Sequence, residues 1–242
     1  MTATTKHSLV QFRREIRRRL ESHSDRTYLS KLKELVPTGA PLLGVRVPII
    51  KGLANTFHSE HKNLTMEDVG QLLNWFCKDR CREEILFGVF LLARFKRHFS
   101  LFHWKYVRAW VEAIDNWETC DQLAMNVAGE LVARDLSLVE HLVEWTKSQN
   151  PWKRRFAVAT TSVLNQKGRS HPQETFRVCE PLMNDADPMV QKAVAWAVRE
   201  ASRKDEPAAF VFLKRCKNKA HPRVFREGCQ KLTSRHRAFL LG

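Results

Sequence analysis

NPWKRRFAVA (150–159), DPMVQKAVAW (187–196) and HPRVFREGCQ (221–230) repeat one arrangement three times in this 242-residue chain. In each, a polar residue (Asn150, Asp187 or His221) precedes a proline, and a basic residue (Arg155, Lys192 or Arg226) follows that proline by four positions. Pro151, Pro188 and Pro222 are 37 and 34 residues apart. Proline suits the first position of a helix, where its missing N–H would have had no partner anyway. Asn and Asp before it are good caps for the next free amides, and His is a poor one. A period of this length is one helical pair, which buries its apolar side only by stacking on its neighbours. The decamers therefore predict an all-α fold, a superhelical stack of antiparallel helical hairpins (an α-solenoid), forming a single domain over residues 1–242.

Working outward, periodic apolar positions predict helices over 8–22, 26–35, 47–59, 65–77, 82–98, 101–114, 118–134, 136–147, 151–166, 172–183, 188–202, 206–217 and 222–232. In the first, Leu9, Phe12, Ile16 and Leu20 recur at steps of three or four, while Arg13, Arg14, Arg17, Arg18 and Arg19 occupy the other faces. Thr65 with Asp68 three residues on makes a variant capping box. Phe102, Tyr106, Val107, Trp110 and Ile114 form the stripe of 101–114. The segment 37–45, PTGAPLLGV, is too rich in Pro and Gly for a helix and reads as a structured loop.

Forty-one Lys and Arg against 26 Asp and Glu give a formal charge of +15. So large an excess repels itself and points to a polyanionic partner, with nucleic acid ahead of an anionic membrane surface. No run of 18 or more apolar residues occurs, and MTATTKHSL at the start lacks a signal-peptide core. The six cysteines are scattered without a CxxC pair, so they read as small core residues in a reducing cytoplasm rather than as zinc ligands. Cys77 and Cys81 share a face if their helix continues. His98 and His103 have no ligand-like neighbours, and HExxH, GxGxxG and Walker patterns are missing. No cofactor or metal is expected.

Basic residues recurring at one phase of successive repeats predict a stripe along the stack, with Arg155, Lys192 and Arg226 at its centre. DNWETCD (115–121) interrupts the pattern with acid. Either Asn116 or Thr119 can cap the helix that follows. On that helix Trp117 and Asp121, four apart, face the same way. A carboxylate beside an indole is an odd choice for a purely electrostatic groove, although an Asp near a helix start also serves the helix itself. Of seven tryptophans, Trp110 and Trp145 fit apolar stripes, whereas Trp117, Trp152 and Trp196 lie beside polar or basic features. Aromatic faces among cations suit stacking on a base or sugar, and core filling is the competing role.

DNWETCDQLA (115–124), NPWKRRFAVA (150–159), VQKAVAWAVRE (190–200) and the weaker PLLGVRVPIIKGLA (41–54) together resemble the AlkD-type DNA alkylation repair proteins. These are monofunctional DNA glycosylases built from HEAT-like repeats. The resemblance implies a catalytic Asp121, sugar-contacting Trp117 and Trp196, and a groove arginine at Arg155; with the basic stripe and the tryptophans beside it, Arg154, Trp152, Lys192 and Arg226 are expected as further DNA contacts. It also implies a duplex DNA substrate bearing a cationic alkylated purine, such as 3-methyladenine or 7-methylguanine, excised without flipping the base into a pocket. The expected partner is double-stranded DNA held through its phosphates by a monomer, with no membrane. Two departures stand out: Asn116-Trp117-Glu118 where the family often has Trp-Trp-Asp, and a loop LVPTGAPLLG (35–44) without aromatic or basic residues. They leave open a non-catalytic HEAT-repeat protein that binds DNA.

Overall fold

The computed structural model describes residues 3–166 and 168–242, with side chains from Ser8 onward. Met1, Thr2, Lys167 and the side chain of Phe102, which the 101–114 stripe includes, lie outside the described residues. Among the described residues there is no strand. The contacts gather into two compact units, residues 1–127 and 128–242.

The first unit holds α1 (Ala3–Glu21), α2 (Arg26–Leu35), α3 (Val47–Glu60), α4 (Met66–Asp79), α5 (Arg82–Leu92), α6 (Trp104–Val111) and α7 (Trp117–Leu123). Its hub is α5, REEILFGVFLL, every residue of which is buried. A helix apolar on all sides has no face to give to water, and α5 accordingly packs on α1, α3, α4 and α7. Gly88 lets α4 approach closely: a Cβ there would sit 2.9 Å from Leu73 Cδ1 and 3.1 Å from Phe76 Cδ2. Thr65 caps α4 through the capping box with Asp68 that the sequence indicates.

The second unit holds α8 (Gly129–Val132), α9 (Val139–Trp145), α10 (Pro151–Thr161), α11 (Pro172–Cys179), α12 (Pro188–Ser202), α13 (Glu206–Cys216), α14 (Pro222–Gly228) and α15 (Ser234–Leu241). Here α10 packs on α12 and α12 on α14, while α9 packs on α11 and α11 on α13. Two layers of helical pairs result, the arrangement of a HEAT-like α-solenoid. The three prolines each begin a helix, as their spacing implies. Asn150 accepts from Trp152 N at 2.9 Å, and Asp187 from Met189 N at 2.7 Å and Val190 N at 3.1 Å. His221 also caps, its Nδ1 accepting from Arg223 N at 3.2 Å, so an imidazole nitrogen does what the residue type alone argues against.

Several long helices end sooner than their apolar stripes. Ala93–His98, Ser162–Asn165, Glu180–Leu182 and Cys229–Lys231 are 3-10 turns, which tighten the last turn and satisfy carbonyls left free by the α-helix. The expected helix 118–134 is interrupted by a π-turn at Ala124–Ala128. Cys81 lies at the cap of α5 and not on the helix of Cys77, so the two share no helical face. The helices expected from apolar periodicity end at 232; α15 follows them, and its SRHRAFLL has little amphipathic pattern.

Candidate functional site

In the first unit, α7 starts at Trp117 because Asn116, almost fully buried, caps it. Its Oδ1 accepts from Glu118 N at 3.2 Å and Thr119 N at 3.0 Å. Thr119 thereby falls inside the helix, and its hydroxyl donates to Asn116 O. Trp117 and Asp121 are both half-buried and stand one turn apart on α7. The π-turn opens three residues after Asp121, and there Asn126 Nδ2 donates back to Gln122 O at 2.8 Å. Such wide turns are frequent at functional sites.

Three ties fix the start of α7. Trp117 Nε1 donates to Leu35 O at 2.9 Å, at the end of α2. Thr38 Oγ1 in the Pro/Gly loop donates to Asp115 Oδ2 at 2.7 Å. Glu118 Oε2 receives Arg82 Nε at 2.7 Å from α5.

The Pro/Gly loop is itself held by a buried acid. Glu83 is fully buried and accepts from Leu43 N at 3.0 Å, Gly44 N at 2.9 Å and Val45 N at 3.3 Å. Arg82, equally buried, donates NH1 to Glu83 Oε1 at 2.8 Å and to Val45 O at 3.2 Å. Gly44 adopts φ +77°, and a Cβ there would lie 2.8 Å from Leu29 Cβ, so only glycine fits. Nothing in the sequence reading singles out Arg82 and Glu83. Their local mark is two adjacent opposite charges opening an otherwise apolar helix.

In the second unit, the recurring basic positions are not equivalent. Lys192 and Arg226 are exposed, on α12 and α14. Arg155 is only 6% exposed, and its NH1 donates to Met189 O in the first turn of α12. The expected stripe is thus open at two of its three positions, because the helix packed over α10 covers the first. Arg154 forms a two-pronged pair with Asp185, Nε to Oδ2 at 2.7 Å and NH2 to Oδ1 at 3.0 Å. Its NH1 reaches Ser148 O at 2.9 Å and Gln149 O at 3.2 Å, so this guanidinium ties the loop before α10 to the loop before α12. Trp152 and Trp196 are both half-buried, on α10 and α12, and Trp196 follows Lys192 by one turn. Trp110 and Trp145 are core residues.

One cluster of metal-ligand type exists among the described residues: Glu15, Glu60 and His61. Arg19 donates to both of its carboxylates and supplies the cation they need.

Residues 16–232 match the family model described as DNA alkylation repair enzyme. The chain belongs to that family. Solved structures agree on the fold. A predicted DNA alkylation repair enzyme from Enterococcus faecalis aligns with TM-score 0.74 at 19% identity, covering 88% of this chain and 98% of that one. The smu.31 protein of Streptococcus mutans UA159 aligns with TM-score 0.59 at 19% identity, covering 95% and 100%. AlkD2 from Streptococcus mutans gives 0.58 at 21%, covering 86% and 99%. No curated protein sequence matches the chain. No helix among the described residues is long and apolar enough to cross a membrane.

Proposed function

We propose that this family member is a monofunctional DNA glycosylase acting on cationic alkylated purines, 3-methyladenine and 7-methylguanine, in duplex DNA. The observation that carries the reading is the pairing on α7 of a half-buried carboxylate, Asp121, with a half-buried indole, Trp117, one turn before it.

Alkylation at N3 or N7 leaves the purine positively charged and a good leaving group. The base departs with the electron pair of the N-glycosidic bond and becomes neutral. Water then adds to the sugar carbon and loses a proton to solvent. Little acid catalysis is needed, which suits one carboxylate rather than the pair used on ordinary glycosides. Positive charge grows on the deoxyribose as the bond breaks. Asp121 stabilises that charge and orients the water, and Trp117 turns an electron-rich face towards it.

In the second unit, the exposed Lys192 and Arg226 are cations available to phosphates, with Trp152 and Trp196 as packing faces for the sugar-phosphate backbone. Arg155 and Arg154 serve by fixing the starts of α10 and α12, the helices that carry Trp152, Lys192 and Trp196. Contacts of this kind set register and carry no sequence preference.

The test is to incubate the protein with N-methylated and with undamaged duplex DNA and to measure free base. Release of 3-methyladenine or 7-methylguanine from the methylated duplex alone is the expected result. Binding to both duplexes with no base released from any cationic lesion selects the second reading, a non-catalytic DNA-binding repeat protein.

A further inference from the structure

α1 carries five arginines, and the structure sorts them into two sets. Arg13 pairs with Asp79, Arg17 with Glu21 and Glu84, and Arg19 with Glu15 and Glu60. Those pairs use carboxylates of α3, α4 and α5 as well as of α1, so they clamp α1 to the unit. Arg14 and Arg18 are exposed, and among the described residues no carboxylate pairs with either. They stand four residues apart, where like charges on one helix face repel each other. Arg18 lies in the last turn, where a cation is favoured by the helix dipole. Arg14 has no such compensation.

Both line an open groove of about 680 Å³ between α1 and α4, together with Arg13, Arg17, Trp75 and Asp79. Glu84, 3% exposed, also lines the groove and stands 3.5 Å from Arg17. Arg14 and Arg18 are thus the exposed arginines of the groove that no carboxylate among the described residues pairs with. Residues four apart on a helix are separated by about 6 Å along its axis, a spacing that long arginine side chains can bring onto neighbouring phosphates of one strand. Two exposed guanidiniums, fixed in place by a clamped helix and presented side by side, make a phosphate-gripping surface.

We infer that α1 is a second DNA-backbone contact of the protein, in which Arg14 and Arg18 each neutralise a phosphate of duplex DNA. The inference rests on the duplex-binding reading above and adds to it a contact in the first unit, separate from Lys192 and Arg226 in the second.

The experiment measures duplex affinity over a series of salt concentrations for the wild type, for Arg14→Gln/Arg18→Gln, and for the charge-matched control Lys62→Gln/Lys219→Gln. Each phosphate contact contributes about 0.9 to the slope of log K against log salt. The arginine variant is expected to lose about 1.8 from that slope and roughly tenfold in affinity at low salt. The control keeps the wild-type slope. An unchanged slope in the arginine variant, with the wild type binding normally, overturns the α1 contact and leaves the second-unit reading intact. An equal loss in the control also overturns it, because the effect then belongs to net charge. Failure of the wild type to bind duplex DNA removes both readings together. The thermal midpoint of the arginine variant, expected to match wild type, separates lost contact from lost fold.

Discussion

The indole N–H of Trp117 donates to the carbonyl oxygen of Leu35 at 2.9 Å, joining the first residue of α7 to the last residue of α2. That carbonyl is one of the acceptors a helix end leaves unsatisfied. Trp117 therefore has a structural task besides the one proposed for its ring. Trp117→Phe keeps an aromatic face and removes the donor, and it should lower unfolding stability by about 1 kcal/mol. Urea denaturation checks this, and a loss below a few tenths would show that the bond does not hold α7.

Glu83 is the anchor of the Pro/Gly loop, with three backbone N–H groups and Arg82 directed at one buried carboxylate. Glu83→Ala strands those donors and leaves Arg82, also fully buried, with a diminished set of partners. The expected loss is about 3–5 kcal/mol, the range for breaking a buried pair. Denaturant melts of the variant would contradict this if the midpoint stayed near that of wild type.

How much of this the sequence could reveal depended on how local each cause was. Pro151, Pro188 and Pro222 with the residues before them are helix-start signals contained in a few positions, and they marked the repeat correctly. The Thr65–Asp68 box was legible for the same reason. Glu83 holding Gly44 is a contact across 39 residues, and no local pattern announces it. Arg155 shares its phase with Lys192 and Arg226, yet it is buried where they are exposed. Its fate is decided by α12 lying over it, which only the packing shows. For the candidate site, the sequence brought Trp117 and Asp121 to one helix face but left the cap open between Asn116 and Thr119. The π-turn that follows has no local signature in AMNVA.

The thiols should be silent in the native protein. All six cysteines are buried and none is in a disulfide. Burial pushes Cys77 and Cys81 up to about 12 and Cys229 to about 11, and the thiolate is the reactive form. A disulfide reagent at neutral pH is expected to find no fast-reacting group in the folded protein and all six after unfolding. A rapid native equivalent would mean that one of these helices opens readily.

Glu84 gives a pH dependence with a definite sign. Burial raises its carboxyl pKa, against the opposing pull of Arg17. A raised folded value favours the protonated form in the native state, so the associated stability is present below the usual carboxylate range and lost as pH rises through the raised value. Glu84→Gln imitates the protonated group. Its denaturation midpoint should match wild type near about pH 4 and exceed it at about pH 7. A variant less stable than wild type at the higher pH would show that the Arg17 pair outweighs the burial cost.

Asp121 is proposed to stabilise the breaking glycosidic bond instead of holding DNA. The most direct measurement is single-turnover release of 3-methyladenine and 7-methylguanine from methylated duplex by wild type and Asp121→Asn, with duplex affinity measured on the same samples. Affinities equal within about twofold are expected, with a release rate lower by about 10²-fold or more in the variant, the scale of losing one preorganised electrostatic group. Equal release rates at equal affinity would contradict it.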